Sequence, residues 1–345
     1  MIYFNCDYNE GAHEKVMKRL METNMEQTVG YGCDEHCENA RRLIKKAIEA
    51  PEADVHFLVG GTQTNATVIA ASLRPYQGVV AADTGHINVH ETGAIEGTGH
   101  KVIALPSVEG KITATQIEQV YREHAGNMSA EHEVQPKMVY ISLPTELGTM
   151  YTLEELKAIS GVCRQSGMYL FVDGARLGYG LASSGNDISL KDMAQYADVF
   201  YIGGTKQGLL FGEAVVITHP SLKEDFRYMI KHNGGMLAKG RLLGVQFETA
   251  FEDDLYMEMA RHAILLADMI RATLKKHNVE FWVENNTNQI FPIFSDSVLA
   301  QLGNKYCFEY QKRIDEERSA VRICTSWASK AGSVEQLCMD LEKIL

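Results

Sequence analysis

The sequence predicts an α/β protein with a mainly parallel, mixed central sheet covered by helices. Three observations predict it. Short apolar runs rich in strand formers recur without polar alternation, the pattern of strands buried on both faces. Helical patterns separate them, as crossovers between parallel strands require. The 345 residues, 45 % hydrophobic, suffice for one large domain and a smaller one.

The first forty residues are polar and irregular, with a turn at Gly30-Tyr31-Gly32. ENARRLIKKAIEA (38–50) carries a helical stripe at Leu43, Ile44 and Ile48. VHFLV (55–59) is a strand that ends in Gly60-Gly61-Thr62-Gln63-Thr64-Asn65, and ATVIAASL (66–73) resumes as a helix. GVVAAD (78–83), KVIAL (101–105), MVYISL (138–143), YLFVD (169–173), DVFYIGG (198–204) and EAVVITH (213–219) read as further strands. Between them lie the helices ATQIEQVYREH (114–124), TLEELKAISGVCRQSG (152–167) and LKDMAQYA (190–197). Thr152, with Glu155 three residues on, is a capping signature, and Gly167 is a stop. Residues 220–275 are helical in pattern, most clearly over 255–277. After 278, IFPIF (290–294) and AVRICT (320–325) are strands, and VEQLCMDLEKIL (334–345) closes the chain as a helix. We expect a large domain over 1–245, including the N-terminal arm, and a small C-terminal α+β domain over 246–345.

The composition narrows the function. With 45 acidic against 33 basic residues, a net charge of −12 argues against a nucleic-acid or anionic-membrane partner. No run approaches the roughly 18 to 20 apolar residues of a membrane span. The start, MIYFNCDYNEG, lacks a basic segment followed by an apolar run, so no signal peptide and a cytoplasmic location are expected. Seven scattered cysteines do not suggest a disulfide framework. Cys33, His36 and Cys37 lack the second ligand pair that a metal site needs, and no metal is expected.

Ligands of parallel sheets bind beyond the carboxyl ends of the strands. That rule gathers Gly60–Asn65, His86, Asp173–Arg176 and Thr205–Lys206. The Gly60-Gly61-Thr62 turn, followed by a helix, has the character of a phosphate cradle, and equally of a plain turn. A carboxylate at Asp173 suits the protonated nitrogen of a ring cofactor, or else caps a helix or pairs with Arg176. His86 suits stacking or proton transfer, with Glu91 close enough in sequence to orient an imidazole. Arg176 suits a substrate carboxylate. Lys206, on a glycine-flanked loop at a sheet edge, is costly to bury unless paired, shifted or covalently used. Together these residues describe an electron-sink site, with Lys206 holding the cofactor as a Schiff base.

The ordered set Cys6-Asp7, Tyr31-Gly32-Cys33-Asp34, Gly61-Thr62-Gln63-Thr64-Asn65, Gly85-His86, Asp173-Gly174-Ala175-Arg176, Thr205-Lys206, Gly234-Gly235-Met236 and Val321-Arg322 runs nearly the full length. It resembles the low-specificity threonine aldolase and beta-eliminating lyase family of fold-type I pyridoxal-phosphate enzymes. The resemblance implies pyridoxal 5′-phosphate as cofactor. Lys206 would carry it and Asp173 would bind its ring nitrogen. His86 would stack on the ring, and Gly61, Thr62, Gln63, Arg176 and Thr205 would complete its site. Arg176 and Arg322 would receive the substrate carboxylate. Cys6 would contact substrate, and Tyr31 would reach a neighbouring subunit's site in a homodimer or homotetramer. The implied reaction is retro-aldol cleavage of threonine or allo-threonine to glycine and an aldehyde, with His86, or a water it orders, as the base. β-Elimination is the alternative, and a non-catalytic α/β binding protein the more distant one. Three positions depart from the family: Cys6 where serine is usual, Leu237 where arginine is common, and Pro144-Thr145-Glu146 after the central strand. Lys239 and Arg241 are the nearby cations available to compensate for Leu237.

Overall fold

The computed structural model covers residues 1–345. In chain order the first strands are β1 (Ile2–Tyr3), β2 (Asp54–Leu58), β3 (Gln77–Ala82), β4 (Val102–Leu105), β5 (Gln135–Ser142), β6 (Tyr169–Asp173), β7 (Val199–Gly203) and β8 (Glu213–Ile217). Seven of them form one sheet in the order β2-β8-β7-β6-β5-β3-β4. The run β4-β3-β5-β6-β7 is parallel, while β8 opposes both β7 and β2. The sheet is therefore mainly parallel and mixed.

Side chains alternate across a strand, so both faces of these apolar runs must be covered. Val80, Val139, Val172, Phe200 and Val216 enter one core. Their neighbours Val79, Met138, Phe171, Val199 and Val215 enter the other. The helix Leu153–Ser166 shows how local signals fix the covering layer. Thr152 and Glu155 make both bonds of a capping box, and Gly167 stops the helix at a left-handed φ of 63°.

The remaining strands are β9 (Phe281–Val283), β10 (Gln289–Ser295), β11 (Tyr306–Cys307), β12 (Glu309–Arg313) and β13 (Arg318–Cys324). Four make an antiparallel sheet ordered β12-β13-β10-β9. The helices Leu255–Lys276 and Ala331–Ile344 share its core through Ile270, Ile290, Ile323 and Leu337. The start of the chain joins this smaller unit, since β1 pairs with β11 and Phe4 enters the same core. Phe247, Ala250 and Tyr256 instead pack with the large sheet. The packing thus crosses a division of the chain at residue 246 in both directions.

Two helices differ from the sequence pattern, one by starting early and one by lying in a stretch that reads as irregular chain. The helix Gly61–Ser72 begins within the glycine turn itself. The helix Glu14–Glu22 lies in the polar N-terminal stretch and buries only Val16, which leaves little apolar signal.

Candidate active site

A cavity of about 180 Å³, open to solvent, lies beyond the carboxyl ends of β2, β5, β6 and β7. It brings together Gly61, Thr62, His86, Asp173, Arg176, Thr205 and Lys206. The lysine loop and the aspartate loop are pressed against one another. A Cβ at Gly174 would lie 1.9 Å from the Tyr201 carbonyl oxygen, and one at Gly203 would lie 2.4 Å from that of Ala175. Only glycine permits this approach.

Asp173 is fixed from three sides. Its Oδ2 accepts from the Tyr140 hydroxyl at 2.5 Å and from Asn65 Nδ2 at 3.2 Å. Its Oδ1 accepts from the Ala175 N–H at 3.0 Å. It does not pair with Arg176. The same Asn65 amide donates to Glu91 Oε1 at 2.8 Å, and that oxygen meets His86 Nδ1 at 2.7 Å. Glu91 thereby orients the imidazole and holds a proton on Nδ1.

Lys206 follows a loop tied to the next strand. The Gly204 N–H donates to Gly212 O at 2.9 Å and to Glu213 Oε2 at 3.1 Å. Thr205 Oγ1 accepts from the Gly212 N–H at 3.0 Å. Burial, and then the charge of Arg176, hold the lysine below its ordinary range despite Asp7, Asp173 and Glu213. Glu213, at the head of β8, also lines the cavity. Burial pushes its carboxyl up to about 8, against the pull of the Thr205 bond and the Lys206 charge.

Arg176 is anchored by an acid 169 residues away. Its Nε and Nη2 donate to Asp7 at 2.7 and 3.0 Å, and Asn288 Nδ2 donates to the same carboxylate at 2.9 Å. Burial raises the Asp7 carboxyl, but the Arg176 and Lys206 charges outweigh it and hold the group down at about 2.

The helix Gly61–Ser72 starts at this cavity with Gly60 as its N-cap and no side-chain cap bond. Its first N–H groups are therefore available to an anion.

Other candidates lie off the cavity. The Gln63 side chain accepts from the Val59 N–H at 3.3 Å and donates to Asn233 O at 3.2 Å, which turns it away. Cys6 is buried, with its thiol donating to Asn9 Oδ1 at 3.1 Å. Arg322 donates to Gln289 Oε1 at 3.2 Å and Asn5 O at 2.9 Å, and its buried Nε has no partner. Tyr31 is half exposed, with its carbonyl accepting from Arg227 at 3.1 Å. Neither cation near Leu237 reaches the cradle. Arg241 donates to the carbonyls of Thr23 and Asn24 at 2.6 and 3.1 Å, and Lys239 is exposed. His36 is held between Glu26 at 2.7 Å and Glu248 at 2.6 Å, beside a buried Cys37.

Ser142 and Glu213 line the cavity and escaped the sequence reading of the site, and Glu146 entered it only as a departure from the family, without a role. One signal was present for Glu213. A carboxylate heading the otherwise apolar run EAVVI is out of place in a buried strand unless it has a task.

The comparisons with known proteins agree with this geometry. The family model described as beta-eliminating lyase matches residues 6–297. A low specificity L-threonine aldolase from Pseudomonas aeruginosa is 29 % identical over 99 % of this chain and 97 % of its own. The solved threonine aldolase of Leishmania major is 42 % identical, with a TM-score of 0.97, covering 100 % of this chain and 99 % of that one. An aspartate aminotransferase from Thermus thermophilus shares the fold alone, at 13 % identity and a TM-score of 0.70, over 100 % of this chain and 92 % of that one. On the length of these matches and the arrangement of its cavity, the chain belongs to the beta-eliminating lyase family of fold-type I pyridoxal-phosphate enzymes, alongside the low-specificity threonine aldolases.

Proposed function

We propose that the protein binds pyridoxal 5′-phosphate at Lys206 and cleaves a β-hydroxy-α-amino acid, threonine or allo-threonine, to glycine and an aldehyde. The observation that carries this reading is the meeting of Lys206, Asp173, His86 and an uncapped helix start in one cavity. The donor set fits the cofactor. The phosphate suits the free N–H groups at Gly61 and Thr62, and the ring nitrogen suits the carboxylate of Asp173. Bound there, the cofactor supplies a sink for the electron pair of the bond broken at Cα.

The chain's own residues do the rest. Asp173, held by Tyr140, Asn65 and Ala175, keeps a proton on its ring partner without rotating away. His86, with Nδ1 fixed by Glu91, presents a ring face. Arg176 has Nε and Nη2 engaged by Asp7, which leaves Nη1 to receive a carboxylate. The lowered proton affinity of Lys206 favours the neutral, nucleophilic amine. We infer further that the working unit is a homo-oligomer, since Met21, Met25, Val29 and Tyr31 expose an apolar stretch.

Borohydride reduction of the loaded enzyme, followed by peptide mapping, tests the assignment, with the modified residue expected at Lys206. Label on another lysine would refute it. A panel of β-hydroxy amino acids scored for glycine and aldehyde tests the reaction, and ammonia with a keto acid would point to elimination instead.

A further inference from the structure

We propose that Glu146 takes the proton of the substrate β-hydroxyl during carbon–carbon cleavage, a role that rests on the aldol reading above. Five cavity side chains have proton-accepting chemistry: His86, Glu146, Asp173, Lys206 and Glu213. Asp173 faces the ring nitrogen, and Lys206 carries the cofactor. Glu213 sits at the head of β8, opposite Leu58 and Gly203, among the phosphate and lysine loops. His86 has one nitrogen fixed by Glu91. In the function proposed above its ring covers the cofactor. That leaves Glu146 as the cavity acid with no other task assigned.

Its geometry suits the task. Oε1 accepts from the Ser142 hydroxyl at 2.6 Å and from the His86 N–H at 2.9 Å. Neither bond uses Oε2. The loop that carries it is pinned from the smaller unit, where Asn285 Nδ2 donates to Leu147 O at 3.1 Å and Thr287 Oγ1 donates to Gly148 O at 3.1 Å. The Thr145 and Thr149 hydroxyls close the same turn at 2.6 Å. A carboxylate held this way needs little reorganisation when substrate arrives. The groups facing it are Asp173 and Tyr140 from the sheet, with Ser142 between, and His86 from the neighbouring loop. Burial pushes its carboxyl above the ordinary range; the Ser142 bond opposes this and the charge of Asp173 adds to it, making it a stronger base than a free carboxylate.

In the step, the O–H bond breaks and the proton passes to Glu146. The oxygen's electron pair forms the C=O bond as Cα–Cβ breaks, and the bonding pair stays with the Cα half. A proton then returns to Cα, and glycine and the aldehyde leave.

The test is Glu146→Gln in the cofactor-loaded enzyme. We expect unchanged visible absorbance and cofactor affinity. Exchange of the glycine α-proton in deuterium oxide, which needs no β-hydroxyl base, should stay within about threefold of wild type, while threonine cleavage falls by about 100-fold or more. The acid limb of the wild-type kcat/KM profile, where activity rises as Glu146 ionises, should also vanish. Cleavage within about threefold of wild type would overturn the proposal, and so would exchange falling in step with cleavage. A wild-type enzyme that exchanges glycine but cleaves no β-hydroxy amino acid would overturn the aldol reading instead.

Discussion

Asp7→Asn isolates what holds Arg176, the arginine proposed to receive the substrate carboxylate. The change keeps the shape of the side chain and removes its charge. One oxygen then becomes an N–H donor facing a guanidinium that has only donors. In the folded protein the Asp7 carboxyl is held at about 2 against an ordinary 3.8. That gap, at roughly 1.36 kcal/mol per pH unit, comes to about 2.4 kcal/mol at neutral pH. Removing one member of a buried ion pair costs about 3–5 kcal/mol, which sets the upper bound. For 345 residues an unfolding entropy of about 2.1 cal/mol/K per residue turns this range into a melting-temperature drop of about 3–7 °C. The sign with pH follows from the depressed carboxyl. Its contribution is present above 3.8 and lost as pH falls through about 2, so variant and wild type should converge in acid. Differential scanning calorimetry reads the stability, and titration with glycine, followed by the absorbance of the loaded enzyme, reads Arg176. Glycine should bind at least about tenfold more weakly as the fork loses its anchor. A variant that melts within a degree of wild type at pH 7 and binds glycine equally well would refute the reasoning.

Glu213→Gln addresses the other buried acid. A carboxyl raised from 4.5 to about 8 stabilises the fold fully below 4.5, and that contribution is lost as pH rises through about 8. The cofactor-free variant, neutral throughout, should therefore lose less melting temperature between pH 5 and pH 8 than wild type does; parallel curves would show that Glu213 ionises freely. The exposed stretch from Met21 to Tyr31 predicts that the purified protein sediments as a multiple of its chain mass, and that Met25→Asp combined with Val29→Asp lowers that mass. A wild-type monomer at micromolar concentration would count against it.

The central sheet was legible because its strands are buried on both faces, so apolar runs such as YLFVD and DVFYIGG read directly as β6 and β7. The strand β12, EYQKR, was not, because it is largely exposed and carries no apolar signal. The pairing of β1 with β11 joins residues some 300 positions apart, and nothing local announces it. The site divides in the same way. Lys206, Asp173, His86 and Arg176 stand at strand ends with glycines beside them, which made them visible. Asp7, Tyr140, Asn65 and Glu146 act through partners that only the fold supplies: Arg176 for Asp7, Asp173 for Tyr140 and Asn65, and Ser142 with His86 for Glu146.

The absence of an arginine at the cradle and the raised proton affinity of Glu213 belong to one electrostatic arrangement. Leu237 stands where the family commonly has arginine, Arg241 is bound to carbonyls elsewhere, and Lys239 is exposed. An anion at the start of the helix Gly61–Ser72 would therefore rely on backbone N–H groups, the helix dipole and the Thr62 hydroxyl. Glu213 pairs in register with Leu58, two residues before Gly60, so an ionised carboxylate there would oppose that anion. Burial, which pushes its carboxyl up to about 8, shifts it towards the neutral form and weakens the repulsion. The same neutrality withholds a counter-charge from Lys206, whose ammonium form is already disfavoured by burial and by Arg176. A proton on Glu213 would thus serve two ends: it would let a cradle without arginine accept an anion, and it would keep the neighbouring lysine reactive.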